Sequence, residues 1–244
     1  MSYHTNTDIG KVRSINEDSY RNYTSDEFSL HIIADGMGGH QSGEIASYMA
    51  VKYIGDYIIE KFNRDEIFDT ISESIMFAHK KILNYSKNNP ESFGMGTTVI
   101  ISLIYNNILY FANIGDSRIY LFSDNKLNQI TKDHSYVQEL LDAGAITKEE
   151  ASFYPRNQIT SALGTDQNYK LDLDRMEVKK DDIILMTTDG LTDLIDDNDI
   201  LDVLIMRYSE KDTTEILTYM ANSTGGKDNI TITCIKIDWG WYGR

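Results

Sequence analysis

Apolar residues recur along this chain in two periods. A helical spacing runs through Ala46, Met49, Ala50, Tyr53 and Tyr57, and again through Ile67, Phe68, Ile71, Ile75, Ala78 and Ile82. Two helices are predicted: the first capped by Ser42 with Glu44 in its first turn, the second starting near Asp65 and stopping at Asn89-Pro90. Short apolar or alternating runs predict strands over 28–34, 97–104, 108–114, 118–122, 126–130, 170–178, 182–188 and 230–237. Asn106-Asn107 and Asp124-Asn125 read as turns, so the four strands between 97 and 130 are expected to form one antiparallel meander. Residues 1–22 read as an extended opening segment, and the run 28–34 is expected to stop abruptly at Asp35-Gly36.

The stretch 132–164 breaks the strand pattern. A short helix over 135–143 ends at Gly144, Thr147 and Glu150 have the spacing of a capping box, and Pro155-Arg156-Asn157 interrupts again. It reads as an insertion of short helices, either a flap or a structural corner. Two further helices start at about Asp197 and at Asp212, the second with Glu215 at its third position and Gly225-Gly226 after its end. The order is strand, two helices, many strands, two helices, strand. Helices in pairs around antiparallel strands predict an α+β fold of two packed sheets with helices outside, not a doubly wound parallel sheet. No repeat or linker divides the chain, so residues 1–244 are expected to form one domain.

Composition changes this picture in one respect. The 41% hydrophobic content is ordinary, but 38 acidic against 23 basic residues give a net charge of -15. Such a surface repels nucleic-acid backbones and anionic membranes, which excludes both as partners. The excess acid either keeps the protein soluble or gathers some carboxylates around cations. The single cysteine, Cys234, lies in the apolar run 230–235; it has no disulfide partner, cannot build a thiolate zinc site, and reads as a strand core residue. The first residues lack a signal-peptide stretch, and no apolar run approaches the ~20 residues that span a bilayer. A soluble, cytoplasmic monomer is the expectation.

The recurrent chemical feature is an apolar strand that ends in an aspartate beside a small or polar turn residue: Asp35-Gly36, Asp116-Ser117, Asp189-Gly190 and, before the last strand, Asp228-Asn229. Each alone is an ordinary turn. Four of them, each anchored to a buried strand, place rigid carboxylates where they could share cations. Oxygen ligands of this kind suit magnesium or manganese. Arg13 is the candidate grip for a phosphate; its other reading is a surface ion pair.

Six motifs, in order, cover nearly the whole chain: Asn16-Glu17-Asp18, Asp35-Gly36-Met37-Gly38-Gly39-His40, Gly94-Met95-Gly96-Thr97-Thr98, Gly115-Asp116-Ser117-Arg118, Thr188-Asp189-Gly190 and Asp228-Asn229-Ile230-Thr231. Together they resemble the metal-dependent protein phosphatases (PPM, type 2C) in their compact bacterial form. The resemblance implies an α-β-β-α sandwich, two mainly antiparallel sheets flanked by helix pairs, with 132–164 as a helical flap. It implies hydrolysis of phosphoserine and phosphothreonine in proteins, with a Ser/Thr kinase as counterpart and phosphorylated proteins as partners. By motif, Asp35 bridges two Mn2+ or Mg2+ ions with the Gly36 carbonyl on one; Asp189 and Asp228 hold the other; Asp116, with Asp189, matches a third metal position. Glu17 and Asp18 act through water or by orienting ligands, and Arg13 matches the phosphate-binding arginine.

Two departures stand out. Animal members place a histidine directly after the Asp-Gly pair, where this chain has Met37; His40, three residues on, either protonates the leaving oxygen or positions the ester, or only packs beside the helix start. In the flap, Tyr154 and Ser161 stand where many relatives have histidine and arginine, which leaves its substrate contacts open. The glycine spacing over 38–43 is not a P-loop, because Glu44 stands where the lysine is required. His31 and His79 read as structural, His134 at the start of the flap has no assigned role, and the exposed aromatic ending Trp239-Gly240-Trp241-Tyr242 either docks back or meets a partner.

Overall fold

The structure, a computed structural model, describes residues 1–38, 42–151, 153–155, 158–166 and 168–238. The chain opens with strands β1 (Ser2–Asp8), β2 (Asp18–Thr24) and β3 (Ser29–Met37), followed by helices α1 (Gly43–Lys61) and α2 (Ile67–Asn88). Strands β4 (Gly96–Thr97), β5 (Val99–Tyr105), β6 (Ile108–Ile114), β7 (Arg118–Ser123) and β8 (Lys126–Gln129) come next. Short helices α3 (Tyr136–Asp142) and α4 (Lys148–Ala151) precede β9 (Asp172–Glu177) and β10 (Ile183–Thr187). Helices α5 (Asp189–Thr192), α6 (Asp197–Ile205) and α7 (Glu210–Ser223) lead to β11 (Ile230–Lys236).

Strict alternation along the strands builds the layers. In β3, Leu30, Ile32 and Ala34 face α1 and α2, while Ile33 faces the opposite sheet; in β5, Val99, Ile101 and Leu103 go one way and Ile100 and Ile104 the other. In β10, Ile183 and Leu185 pack under α5–α7 while Ile184 and Met186 turn inward. One sheet runs β1-β11-β10-β7-β8 and the other β2-β3-β5-β6-β9, with β4 paired to β3, and every adjacent pair is antiparallel. The α+β sandwich is the predicted one: helices outside, two sheets face to face, three apolar layers between. Among the described residues no helix is long and apolar enough to cross a membrane.

Four local expectations need correction. The opening segment contains two strands. Hydrophobic patterning missed β1 because polar pairs bury its faces: Thr5 and Thr7 meet Thr233 and Thr231 at 2.8 Å, while His4 Nδ1 and Asn6 Nδ2 reach Thr214 and Thr218 of α7. The four-strand meander is two hairpins in opposite sheets: β5-β6 and β7-β8 each close on a two-residue turn with positive φ at both positions (48° and 60°, 51° and 59°), and the chain changes sheets at Gly115-Asp116-Ser117. The strand 28–34 does not stop at Asp35; β3 continues through Met37, pairing Asp35 with Asp18 and Gly36 with Thr97. A Cβ at Gly36 would collide with the Gly43 carbonyl and the Glu17 carbonyl oxygen, so glycine here permits close approach, not a turn. Finally, Ser42 makes no capping bond but donates to the Glu91 carbonyl (3.1 Å), and α7 is capped three residues ahead of its predicted start by Ser209, which accepts from Asp212 N–H.

Candidate metal centre

The strand ends deliver the predicted residues to one place. Arg13, Glu17, Asp35, Gly36, Asp116, Asp189 and Asp228 line one cavity of about 240 Å³, with Met37, Gly38, Thr98 and the flap residue Ile159. Asp18 is buried behind them and does not line it. His40 lies outside the described residues.

Each carboxylate is held by backbone that cannot easily shift. Asp35 N–H donates to Thr98 Oγ1 (3.0 Å), and its carbonyl accepts from Thr98 N–H (2.9 Å) and Thr97 Oγ1 (2.8 Å). Thr98 Oγ1 and Ser117 Oγ, 2.8 Å apart, tie that strand to the crossing that carries Asp116. Asp189 starts α5 directly after β10, and a Cβ at Gly190 would strike the Asn229 carbonyl, so the Asp189 and Asp228 segments lie in contact. Asn229 is the clamp of the opening segment: its amide donates to the Ile9 and Ile15 carbonyls (3.0 Å each), and its Oδ1 accepts from Glu17 N–H (2.8 Å). The loop carrying Arg13 and Glu17 is thereby fastened beside Asp228. Thr188 Oγ1 donates to Asp18 Oδ2 and accepts from Thr231 N–H, both at 3.0 Å. Sequence reasoning missed these supports, Thr98, Ser117, Thr188 and the role of Asn229. The only signal was hydroxyl residues at strand ends, which is shared with ordinary edge positions.

Electrostatically the site is overloaded with negative charge. Burial, then the charges of Asp18, Asp189, Asp116 and Asp228, pushes the Asp35 carboxyl well above the usual carboxylate range. Burial, then Asp189, does the same to Asp116. Burial raises Asp18 to about 7 against hydrogen bonds from Thr231 and Thr188 that oppose it, and raises Asp189 to about 7 with the help of Asp193 and Asp228. Arg13 relieves part of this: its Nη2 donates to Asp228 Oδ2 at 2.7 Å and its Nη1 stands 3.9 Å from Glu17. The guanidinium is 47% exposed, so this pair is open to exchange of partners.

The donor set fits hard divalent cations. All candidates are carboxylate or carbonyl oxygens, and among the described residues the buried Oδ1 atoms of Asp18 and Asp189 have no hydrogen-bond partner. Among the described residues no three acidic, histidine or cysteine side chains already close on a single point. The carboxylates ring the cavity instead.

A family model described as protein phosphatase 2C matches residues 11–227. The chain is 36% identical over 243 residues to the serine/threonine phosphatase stp of Listeria welshimeri, covering 98% of this chain and 96% of that one. The S. agalactiae serine/threonine phosphatase structure superposes with a TM-score of 0.91 at 35% identity, covering 97% of this chain and 99% of the other. The catalytic domain of the serine/threonine protein phosphatase PstP, solved with two manganese ions, superposes with a TM-score of 0.86 at 33% identity, covering 97% and 98%.

Proposed function

The chain belongs to the protein phosphatase 2C family, and from that premise we propose how its acidic cavity removes phosphate from proteins. The protein is a metal-dependent protein-serine/threonine phosphatase, a hydrolase of phosphoserine and phosphothreonine. What carries the assignment of residues is that four aspartates from four separate segments, with one arginine, line a single cavity whose carboxylates repel one another.

Asp35, the Gly36 carbonyl, Asp189 and Asp228 would hold two ions, manganese or magnesium, and Asp116, with Asp189, would offer a third position. When bound, the ions lower the pKa of water to near neutrality and draw charge from the phosphoryl oxygens. Every other part belongs to the chain itself. Arg13 donates to Asp228, and with Asp228 committed to a cation its guanidinium would be free to grip two phosphate oxygens. Glu17, fixed by Asn229, and Asp18, fixed by Thr188, act through water or by orienting their neighbours. Residues 132–164 form the flap, and Ile159 brings its apolar side to the cavity wall. Residues 1–244 act as one cytoplasmic, monomeric catalytic domain on phosphorylated proteins, including a Ser/Thr kinase that it counters in bacterial signalling.

The test is hydrolysis of a phosphothreonine peptide with Mn2+. Asp35→Asn is expected to lose roughly a thousandfold in kcat/KM, the scale of removing preorganised charge stabilisation. Undiminished turnover by Asp35→Ala would refute the assignment.

A further inference from the structure

His134 sits at the start of the flap and is only 2% exposed. Its Nδ1 accepts the Gly115 N–H at 3.2 Å, which places the ring proton on Nε2, and Nε2 donates to Asp172 Oδ2 at 3.0 Å. The backbone repeats the link: His134 N–H donates to the Gly115 carbonyl (2.8 Å), and the His134 carbonyl accepts from Thr160 N–H (2.8 Å). Asn113 Nδ2 also donates to the Gly115 carbonyl (3.2 Å) and to that of Lys132 (2.7 Å). Gly115 itself has φ +104°, and a Cβ there would meet Thr98 Cγ2 at 2.6 Å. Both polar groups of the Gly115 residue are thus held, one residue before Asp116, and Thr160 is one residue after Ile159 on the cavity wall.

We propose that His134 is a positioning residue. Its imidazole, oriented by Asp172, fixes the Gly115 turn that aims Asp116, while its backbone carbonyl joins that turn to the far end of the flap, so that metal response depends on a side chain that touches neither metal nor substrate. The proposal rests on Asp116 being a ligand.

Two substitutions separate the two ring nitrogens. His134→Asn keeps an acceptor near the Nδ1 position; His134→Gln keeps only a donor near Nε2. Amide exchange of residues 113–117, measured in cation-free protein, should be about tenfold faster in His134→Gln, the effect of one lost buried hydrogen bond. The Mn2+ concentration for half-activation should rise roughly tenfold, as for other groups that orient ligands. His134→Asn, which keeps the acceptor for Gly115 but loses the Asp172 bond, should stay within about threefold of the parent in both. Parent-like exchange and Mn2+ response in a folded His134→Gln, or equal losses in His134→Asn, would overturn the proposal. Should His134→Gln not fold, Asp172→Ala, which removes the acceptor for Nε2 at a side chain that is 40% exposed, carries the same expectation at about threefold, and no change there overturns it instead. Asp116→Asn checks the underlying reading separately: if its Mn2+ midpoint equals the parent's, Asp116 is not a ligand, while the exchange data still report on the His134–Gly115 bond.

Discussion

At the scale of single residues, charge crowding decides behaviour. The raised carboxyls have a definite signature. In cation-free protein Asp18 and Asp189 titrate near 7 when folded, against an ordinary 3.8 when unfolded. Between about pH 4 and 7 the folded state therefore holds protons that the unfolded chain has released, so the stability these groups contribute falls as pH rises through that window and is flat above it. The melting temperature of chelator-treated protein should fall across this window more steeply than that of Mn2+-loaded protein, and Asp18→Asn should shallow the slope. A calorimetric series showing equal slopes with and without Mn2+ would contradict the cavity's role as a cation site. Arg13 makes the complementary case. It is half-exposed and its pairs are at the surface, so Arg13→Ala should change the melting temperature by no more than ~2 °C while lowering kcat/KM on a phosphopeptide about a hundredfold. A large loss of stability instead would make it a structural ion pair.

At the scale of elements, the site depends on how loops are pinned to strand ends. Asn229 bonds three backbone groups of the opening segment and is 3% exposed. Replacing it by alanine leaves those groups without partners, which costs about 2–4 kcal/mol. Asn229→Ala should lower the urea midpoint accordingly and reduce turnover by displacing Arg13 and Glu17. Should stability drop while kcat/KM stays at the parent value, the clamp would serve the fold alone. Sequence patterning located β5, β6 and their turn almost to the residue, because their faces are apolar and both turn asparagines adopt positive φ. It did not find β1, whose partners are threonines and asparagines, nor the continuation of β3 through Asp35 and Gly36. Both depend on neighbours distant in the chain: β11 and α7 for the first, β4 for the second.

At the scale of the whole molecule, the layer between the sheets is the shared core. Ile33, Ile100, Phe111, Ile184, Met186 and Ile235 meet there from both sheets. Ile184→Ala should cost about 2–5 kcal/mol and move a single urea transition without splitting it, because neither sheet retains its inner face alone. Two separate transitions, followed by tyrosine circular dichroism, would refute the proposal of one catalytic domain.

The amino-acid sequence by itself determined the class of fold and the chemistry of the site. Apolar periodicity, paired turns and aspartates at strand ends are local properties, and six motifs in order carried the family resemblance. Only tertiary structure decided which sheet each hairpin joins, since β5-β6 and β7-β8 read alike in sequence and differ in what covers them. It also decided that Asp35, Asp116, Asp189 and Asp228 share a cavity, that Arg13 is held on Asp228, and that His134 braces the turn before Asp116. These are contacts between residues 19 to more than 200 positions apart, and they form only when burying the layer between the sheets brings these segments to one side.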